Sequence, residues 1–416
     1  MMPDTILFHA RRVGSARRLL AIASLFLAAA AFAAEAAAPV LLISMDGFRW
    51  DYTERYAQQT PHIRQLAREG VAAQGLIPVF PSNTFPNHYA LVTGLYPSHS
   101  GMINNRMFDA RLGAAFVYTQ RSSAQDSRWW GGEPIWITAV LQGRTSVCSF
   151  WPGSEAEIKG VHATHWKPYD YSIPFETRLD ELIGWMKQPT PPCIATFYLE
   201  EGNSAGHRYG PDSAELAETL RMLDGRIEAI ASRFKAEGIP VNLVLVSDHG
   251  MTPCGPDQVV LLDDYIDVSQ VQVDFDETTC GLRPAAGVSI EALLKQLAAM
   301  PHAKVYQAKD LPPRLHVDPA NPRVPPLWIL PDEGWQVQRR SVFAQMKEHF
   351  VRGQHGYDPA LPSMHGILIA HGPAFRSGVT LPEVENVHVY NLLCAAAGLK
   401  PAPNDGDDRL VKAALK

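Results

Sequence analysis

Four short stretches of this sequence set carboxylates and imidazoles beside glycine. They are Ser44-Met45-Asp46-Gly47, the run Glu200-Glu201-Gly202-Asn203 continuing to His207, Ser247-Asp248-His249-Gly250, and His355-Gly356-Tyr357-Asp358. Carboxylate oxygens and imidazole nitrogens hold zinc and similar divalent cations, which in turn polarise phosphoryl oxygens. Each stretch alone has a plainer explanation. Asp46 suits a turn, and most of the 15 histidines fill surface or core. Taken together at the ends of apolar runs, they point to one metal centre. A hydroxyl nucleophile is harder to choose. Pro81-Ser82-Asn83-Thr84-Phe85-Pro86-Asn87-His88 follows an apolar run over 73–80 and leads into a helical pattern over 88–93. A hydroxyl there faces the N–H groups of a helix start, which favour an anion. It would equally serve as a helix cap, and locally capping is the stronger reading of Ser82 and Thr84.

The elements that must position these residues are legible as apolar runs over 40–45, 146–151, 194–199, 241–246 and 367–370. Runs without polar alternation suit strands buried on both faces, as in a mainly parallel sheet. Helical patterns lie between them, over 60–68, 175–186 and 212–235. The last carries Leu216, Leu220, Leu223, Ile227, Ile230 and Phe234 at 3/4 spacing, the mark of an amphipathic helix. Strands alternating with helices predict an α/β fold, a three-layer α/β/α sandwich. Ligands in such folds bind beyond the carboxyl ends of the strands, where the four stretches fall. The Pro-rich segment 263–335 reads as an irregular insertion beside the sheet, within one catalytic domain over 37–416.

Composition narrows the function further. The chain has 416 residues, 46% hydrophobic and 19% charged, and its 37 Lys+Arg against 43 Asp+Glu give a net charge of −6. With no long cationic run, a nucleic-acid-coating protein or a polybasic membrane binder is excluded. The N-terminus reads as a secretory signal peptide over 1–36: Arg11-Arg12 and Arg17-Arg18, an apolar run over 19–32, then Ala31-Phe32-Ala33 and Ala34-Glu35-Ala36. This predicts a periplasmic or secreted protein without a membrane span. In an oxidising compartment, Cys254 and Cys280 are a candidate disulfide pinning the insertion beside the site, worth roughly 3–4 kcal/mol. Cys394, inside an apolar helical pattern, reads as a buried thiol.

Ser44-Met45-Asp46-Gly47-Phe48-Arg49 with Asn83-Thr84-Phe85-Pro86-Asn87-His88 resembles the nucleotide pyrophosphatase/phosphodiesterase family of the alkaline phosphatase superfamily. The similarity continues through His99-Ser100-Gly101-Met102-Ile103-Asn104-Asn105, Phe150-Trp151-Pro152-Gly153-Ser154, Gly206-His207-Arg208-Tyr209-Gly210-Pro211, Ser247-Asp248-His249-Gly250-Met251 and the His355 stretch. The resemblance implies an alkaline phosphatase-like fold and two zinc ions (Zn2+) per chain. One would be held by Asp46, Thr84, Asp248 and His249, the other by Asn203, His207 and His355. It further implies that Thr84 is the nucleophile and passes through a phospho-threonine intermediate. Asn105 would donate to a non-bridging phosphate oxygen, and Phe85 and Tyr169 would sandwich a nucleotide base. Asn87 and His88 would support the site, whereas His365 and His371 lie nearby in sequence without the Gly-Tyr-Asp context.

One departure stands out: position 203 is normally Asp in the family and is Asn here. The implied activity is hydrolysis of nucleotide diester or pyrophosphate bonds to nucleoside 5′-monophosphates, on a small-molecule substrate and not a nucleic-acid polymer. Relatives with the same core hydrolyse lipid or choline phosphodiesters, and Asn203 raises the alternative of a weakly active nucleotide-binding relative. A simple monoesterase fits less well, because the alkaline phosphatases proper use serine and an arginine that has no counterpart here.

Overall fold

A computed structural model describes residues 38–416; the signal peptide expected over 1–36 lies outside them. The centre is an eight-stranded sheet built from β1 (Val40–Met45), β2 (Val71–Ala73), β3 (Ser146–Ser149), β4 (His165–Lys167), β5 (Ile194–Leu199), β6 (Asn242–Val246), β7 (Leu368–His371) and β8 (Val379–Leu381). In space the order is β8-β2-β7-β6-β1-β5-β3-β4. β1 runs parallel to both neighbours, with Val40 opposite Ile194 on one side and Asn242 on the other. β7 alone is antiparallel to its neighbours β6 and β2, so the sheet is mainly parallel, as the unalternated apolar runs required.

Alternate residues of β1 explain the layers. Leu41, Ile43 and Met45 enter one core with helices α1 (Pro61–Glu69), α4 (Phe175–Met186) and α6 (Ala214–Ala236). Val40 and Leu42 enter a second core with α2 (Thr84–Thr93), α3 (Ile135–Leu141) and α8 (Val389–Ala396). All six β1 side chains are buried, so at roughly 1.5–3 kcal/mol per large apolar side chain this strand is a main source of stability. In α6 the expected apolar positions from Leu216 to Phe234 are all buried, and Ser213 caps the helix by accepting from the Leu216 N–H at 3.1 Å. The fold is the α/β/α sandwich of the alkaline phosphatase class. One strand is shorter than the sequence suggests: β3 stops at Ser149 because Phe150 turns into the left-handed region at φ 67°.

Two expectations are corrected. The segment 263–335 is not irregular. It carries four strands, Val271–Phe275, Cys280–Pro284, Ala303–Gln307 and Leu327–Pro331, which form an antiparallel sheet. Helix α7 (Ile290–Leu297) covers one face through Leu293 and Leu297. The Cys254–Cys280 disulfide is absent. Both thiols are free and buried, because Cys280 faces the small sheet's own core while Cys254 lies beside the Val351 carbonyl and the Gln336 amide. Cys394 is buried, as expected. Among the described residues no helix is long and apolar enough to cross a membrane.

Candidate active site

The carboxyl ends of β1, β5 and β6 open onto one rim. Asp46 follows β1, its backbone N–H bonded to the Leu199 carbonyl at 2.9 Å. Asp248 and His249 follow β6. The three offer ligand atoms that all lie within 4.8 Å of one another, deep in the molecule. His249 Nε2 is 3.4 Å from Asp46 Oδ1 and 3.1 Å from Asp248 Oδ2. Gly47 permits this convergence: it has φ 69°, and a Cβ there would come within 2.9 Å of the Asn203 Cα.

Thr84 reaches the cluster as the first residue of α2, its Oγ1 3.3 Å from His249 Nε2. Asn83 occupies the cap position without a side-chain bond to the helix, and Ser82 donates to the Tyr357 carbonyl. Asn83 instead donates to Asn104 Oδ1 at 2.9 Å, so the cap position itself gives the helix no side-chain bond. The Phe85 N–H donates to Asn105 Oδ1 at 2.8 Å. That bond fixes the amide and leaves its NH2 to donate elsewhere.

His207 and Asn203 sit four apart on α5 (Glu201–Tyr209), on one face. His207 Nδ1 donates to the Gly353 carbonyl at 2.9 Å and His355 Nδ1 to the Ser82 carbonyl at 2.9 Å. Both Nε2 lone pairs are thereby left for a cation, the arrangement that orients metal-binding histidines. Burial pushes His207 down to about 4 and His355 well below the usual imidazole range. Low values favour the neutral imidazole that ligates a cation. His249 goes the other way, because Asp248 and Asp46 outweigh its burial and push it up to about 9, so a cation there would have to displace its proton. Burial and the neighbouring Asp248 push Asp46 up to about 7. Asp248 is held well below its ordinary value, because His249 and His88 outweigh its burial.

The donor set fits a divalent cation. Asp46 Oδ1, Asp248 Oδ2 and Asn203 Oδ1 are buried and have no hydrogen-bond partner; Asp248 Oδ2 approaches two imidazoles without hydrogen-bond alignment. Unsatisfied buried oxygens cost about 1–3 kcal/mol each or more, and a bound cation removes that cost.

Above the cluster is a cleft of about 440 Å³, whose lining includes Asp46, Thr84, Phe85, Asn105, Tyr169, Asn203, His207 and His355. A larger depression of about 710 Å³ beside α1 and α6 contains none of them. Phe85 packs edge-on against Phe116 and Tyr118, each at 5.7 Å. Tyr169 is 37% exposed, lies 5.6 Å from the Phe150 ring and bonds through its hydroxyl to Glu200. Its exposure argues against core packing as its role.

Two supporting residues, Tyr198 and Arg178, were not singled out in the sequence, whereas Asn87 and His88 were expected to support the site. Tyr198, inside the apolar run of β5, donates to Asp46 Oδ2 at 2.6 Å. Arg178 is sandwiched between Phe150 and Phe197 and donates to the Tyr198 carbonyl. His88 is buried and links three elements: Ser44 Oγ at 2.8 Å, the Thr84 carbonyl at 2.9 Å and Asp248 Oδ2 at 3.2 Å. Asn87 ties down the loop before Thr84 through Val79, Pro81 and Asn83. A tyrosine one position before a buried strand's end was the available signal for Tyr198. His365 bonds to the Pro359 carbonyl and His371 lies near Glu69; neither lines the cleft.

The model of type I phosphodiesterase / nucleotide pyrophosphatase matches residues 40–358. The chain belongs to that family. This phosphodiesterase family member is 38% identical over 384 residues to venom phosphodiesterase CdcPDE of Crotalus durissus collilineatus, covering 88% of this chain and 45% of the venom protein. It therefore spans less than half the length of that relative. Human bis(5′-adenosyl)-triphosphatase ENPP4 is 36% identical over 378 residues, covering 88% of this chain and 80% of its own. Among solved structures, murine ectonucleotide pyrophosphatase/phosphodiesterase 5 superposes with a TM-score of 0.85 at 34% identity, covering 91% of this chain and all of that one. The same protein, inactive through a threonine-to-alanine change, has been solved in complex with AMP at the same similarity.

Proposed function

We propose that this chain is an exported two-zinc phosphodiesterase that cleaves nucleotide diester or pyrophosphate bonds to nucleoside 5′-monophosphates through a phospho-threonine intermediate. The observation that carries the reading is Thr84 Oγ1 at the first position of α2, 3.3 Å from His249 within the Asp46–Asp248–His249 cluster. One cation would rest on Asp46, Thr84, Asp248 and His249, the other on Asn203, His207 and His355. When bound, the two ions would neutralise phosphate charge and favour in-line displacement.

The remaining work falls to the chain itself. α2 holds the Thr84 hydroxyl in the cleft; its oxygen gives up its proton and bonds to phosphorus as the bond to the leaving oxygen breaks. That leaving oxygen takes a proton from solvent. A water then attacks phosphorus, releasing the 5′-monophosphate and returning the Thr84 hydroxyl. The Asn105 NH2, set by the Phe85 N–H, donates to a non-bridging oxygen where charge builds up. Phe85 and Tyr169 flank the cleft as surfaces on which a base stacks. The neighbour bound to AMP, inactive by a threonine-to-alanine change, supports both the nucleotide and the threonine. Turnover of a nucleoside 5′-p-nitrophenyl ester against p-nitrophenyl phosphate, with and without zinc, tests the reading. Zinc-dependent preference for the diester is expected, and a faster monoester would overturn it.

Phe85→Ala and Tyr169→Ala each raise KM for nucleotides more than for a simple aryl diester, by the roughly 1–3 kcal/mol that stacking one base contributes. Equal losses on both substrates would assign the two rings to packing.

Asn203 weakens its cation site without removing it. Its oxygen remains, but the charge of an aspartate is lost, and the two nearest acids in sequence are turned to other partners. Glu200 is bonded to Tyr169 and Glu201 is ion-paired to Arg226. Asn203→Asp tightens the weaker zinc site in a buffered metal titration followed by calorimetry. Identical zinc affinities in parent and variant would discard the weakened-site account.

A further inference from the structure

The Phe85 ring is caged from behind. Besides Phe116 and Tyr118 it meets Trp130 at 6.1 Å, and Phe116 packs edge-on against Trp129 and Trp130 at 5.7 and 5.8 Å. The cage comes from two strips of chain. Phe116 belongs to the hairpin of Arg106–Asp109 and Ala114–Val117, whereas Trp129 ends the one-turn helix Ser127–Trp129 and Trp130 follows it. Neither strip is part of the central sheet.

One side chain joins them. Arg323 lies between the strands Ala303–Gln307 and Leu327–Pro331 of the small sheet. Its Nε donates to Asp109 Oδ2 at 2.8 Å, Nη1 to the carbonyls of Gly101 and Trp129 at 2.8 and 2.9 Å, and Nη2 to the Arg128 carbonyl at 2.6 Å. The guanidinium also lies over the Trp129 ring, 5.0 Å from its centre. Asp109 shapes the hairpin turn, since its other oxygen accepts from the N–H groups of Arg111 and Leu112. Asn321 seats the arginine, accepting from the Arg323 N–H at 3.0 Å and donating to the Ser98 carbonyl at 2.7 Å. A planar fork with fixed donor directions holds acceptors from several segments at once, which a single ammonium does not. The side chains of Arg323 and Asp109 are only 12% and 5% exposed, so the pair carries a desolvation cost that a surface pair avoids. Arg323 does not line the cleft, so it is not placed to touch a ligand there.

We propose that Arg323 is a positioning residue for the nucleotide half of the substrate. From the small sheet it locks the hairpin to the Trp129–Trp130 strip and so holds the Phe85 ring in place for the base. The inference rests on the base-stacking reading above and deepens it, because nucleotide affinity then depends on a residue outside the cleft.

A nucleoside 5′-p-nitrophenyl ester and bis(p-nitrophenyl) phosphate, both at saturating zinc, test it. Arg323→Ala raises KM for the nucleotide ester roughly fivefold, a part of what stacking one base contributes. Its kcat on both substrates and its KM for the aryl diester stay at the parent values. Arg323→Lys falls between parent and Arg323→Ala, and the same ratio of KM values read on it alone decides the matter if Arg323→Ala does not fold. In a Phe85→Ala background, Arg323→Ala adds nothing further to the nucleotide KM, because the ring through which it acts is gone. Losses that multiply in the double variant, an equal rise in KM on both substrates, or an unchanged nucleotide KM each overturn the positioning role while the diesterase reading stands. A Phe85→Ala variant with no nucleotide-specific loss removes the stacking role and the Arg323 role together. No parent turnover on either diester overturns the diesterase reading itself, and the Arg323 role with it.

Discussion

Thr84→Ala lowers diester turnover by about three to six orders of magnitude, the range seen when a nucleophile is removed from a covalent mechanism. Thr84 is a single half-buried side chain at the first helical position of α2. The structure around it is carried by other residues: Asn83 bonds to Asn104, Asn87 holds the preceding loop, and His88 ties the helix to Ser44. The variant therefore keeps its circular dichroism and denaturation midpoint. It also retains zinc, because Asp46, Asp248 and His249 remain. Turnover near the parent level would remove Thr84 from the mechanism.

Asp248→Ala has a double cost. The carboxylate receives the Gly47 N–H at 3.3 Å and stands 3.1 and 3.2 Å from His249 and His88, with all of these groups buried. Deleting one partner of a buried charged set typically destabilises by about 3–5 kcal/mol, since the others keep their desolvation cost. Urea unfolding of the metal-free protein measures that loss. Zinc content falls in parallel, because one of the charged ligands is gone. Asp248→Asn separates the effects: its amide oxygen still accepts from Gly47, so it recovers more of the stability than of the zinc affinity, which needs the lost charge. Parent-like zinc binding in both variants would place the cation elsewhere.

The sequence carried the central sheet well because burial on both faces leaves an unbroken apolar run, as in Val40–Met45. The small sheet was illegible for the opposite reason. Two of its strands, Val271–Phe275 with Gln272 exposed and an irregular register after Val273, and Ala303–Gln307 with Lys304 exposed, are short and half-polar. Such stretches do not stand out from loop. The disulfide expectation failed on direction: spacing along the chain says nothing about which core a cysteine faces. Among site residues, the acidic and histidine stretches were visible because they break apolar runs at strand ends. Thr84 was not decidable locally, since a cap and a nucleophile occupy nearly the same position, and the family resemblance had to choose. Tyr198 and Arg178 stayed hidden because a tyrosine in a strand and an arginine in an amphipathic helix look ordinary until their partners are known.

The small sheet has two loyalties. Leu282, Leu327 and Ile329 belong to a core closed off by its own helix, while Phe275 and Trp328 are rooted in the main body. A protein built this way can drift on one side and stay anchored on the other. Substitutions under α7 change an outlying wall without reaching β1, β6 or the start of α2, where the chemistry is held. Lineages descended from such an ancestor could therefore acquire new tastes by rebuilding a peripheral wall, and the reactive centre would be inherited intact.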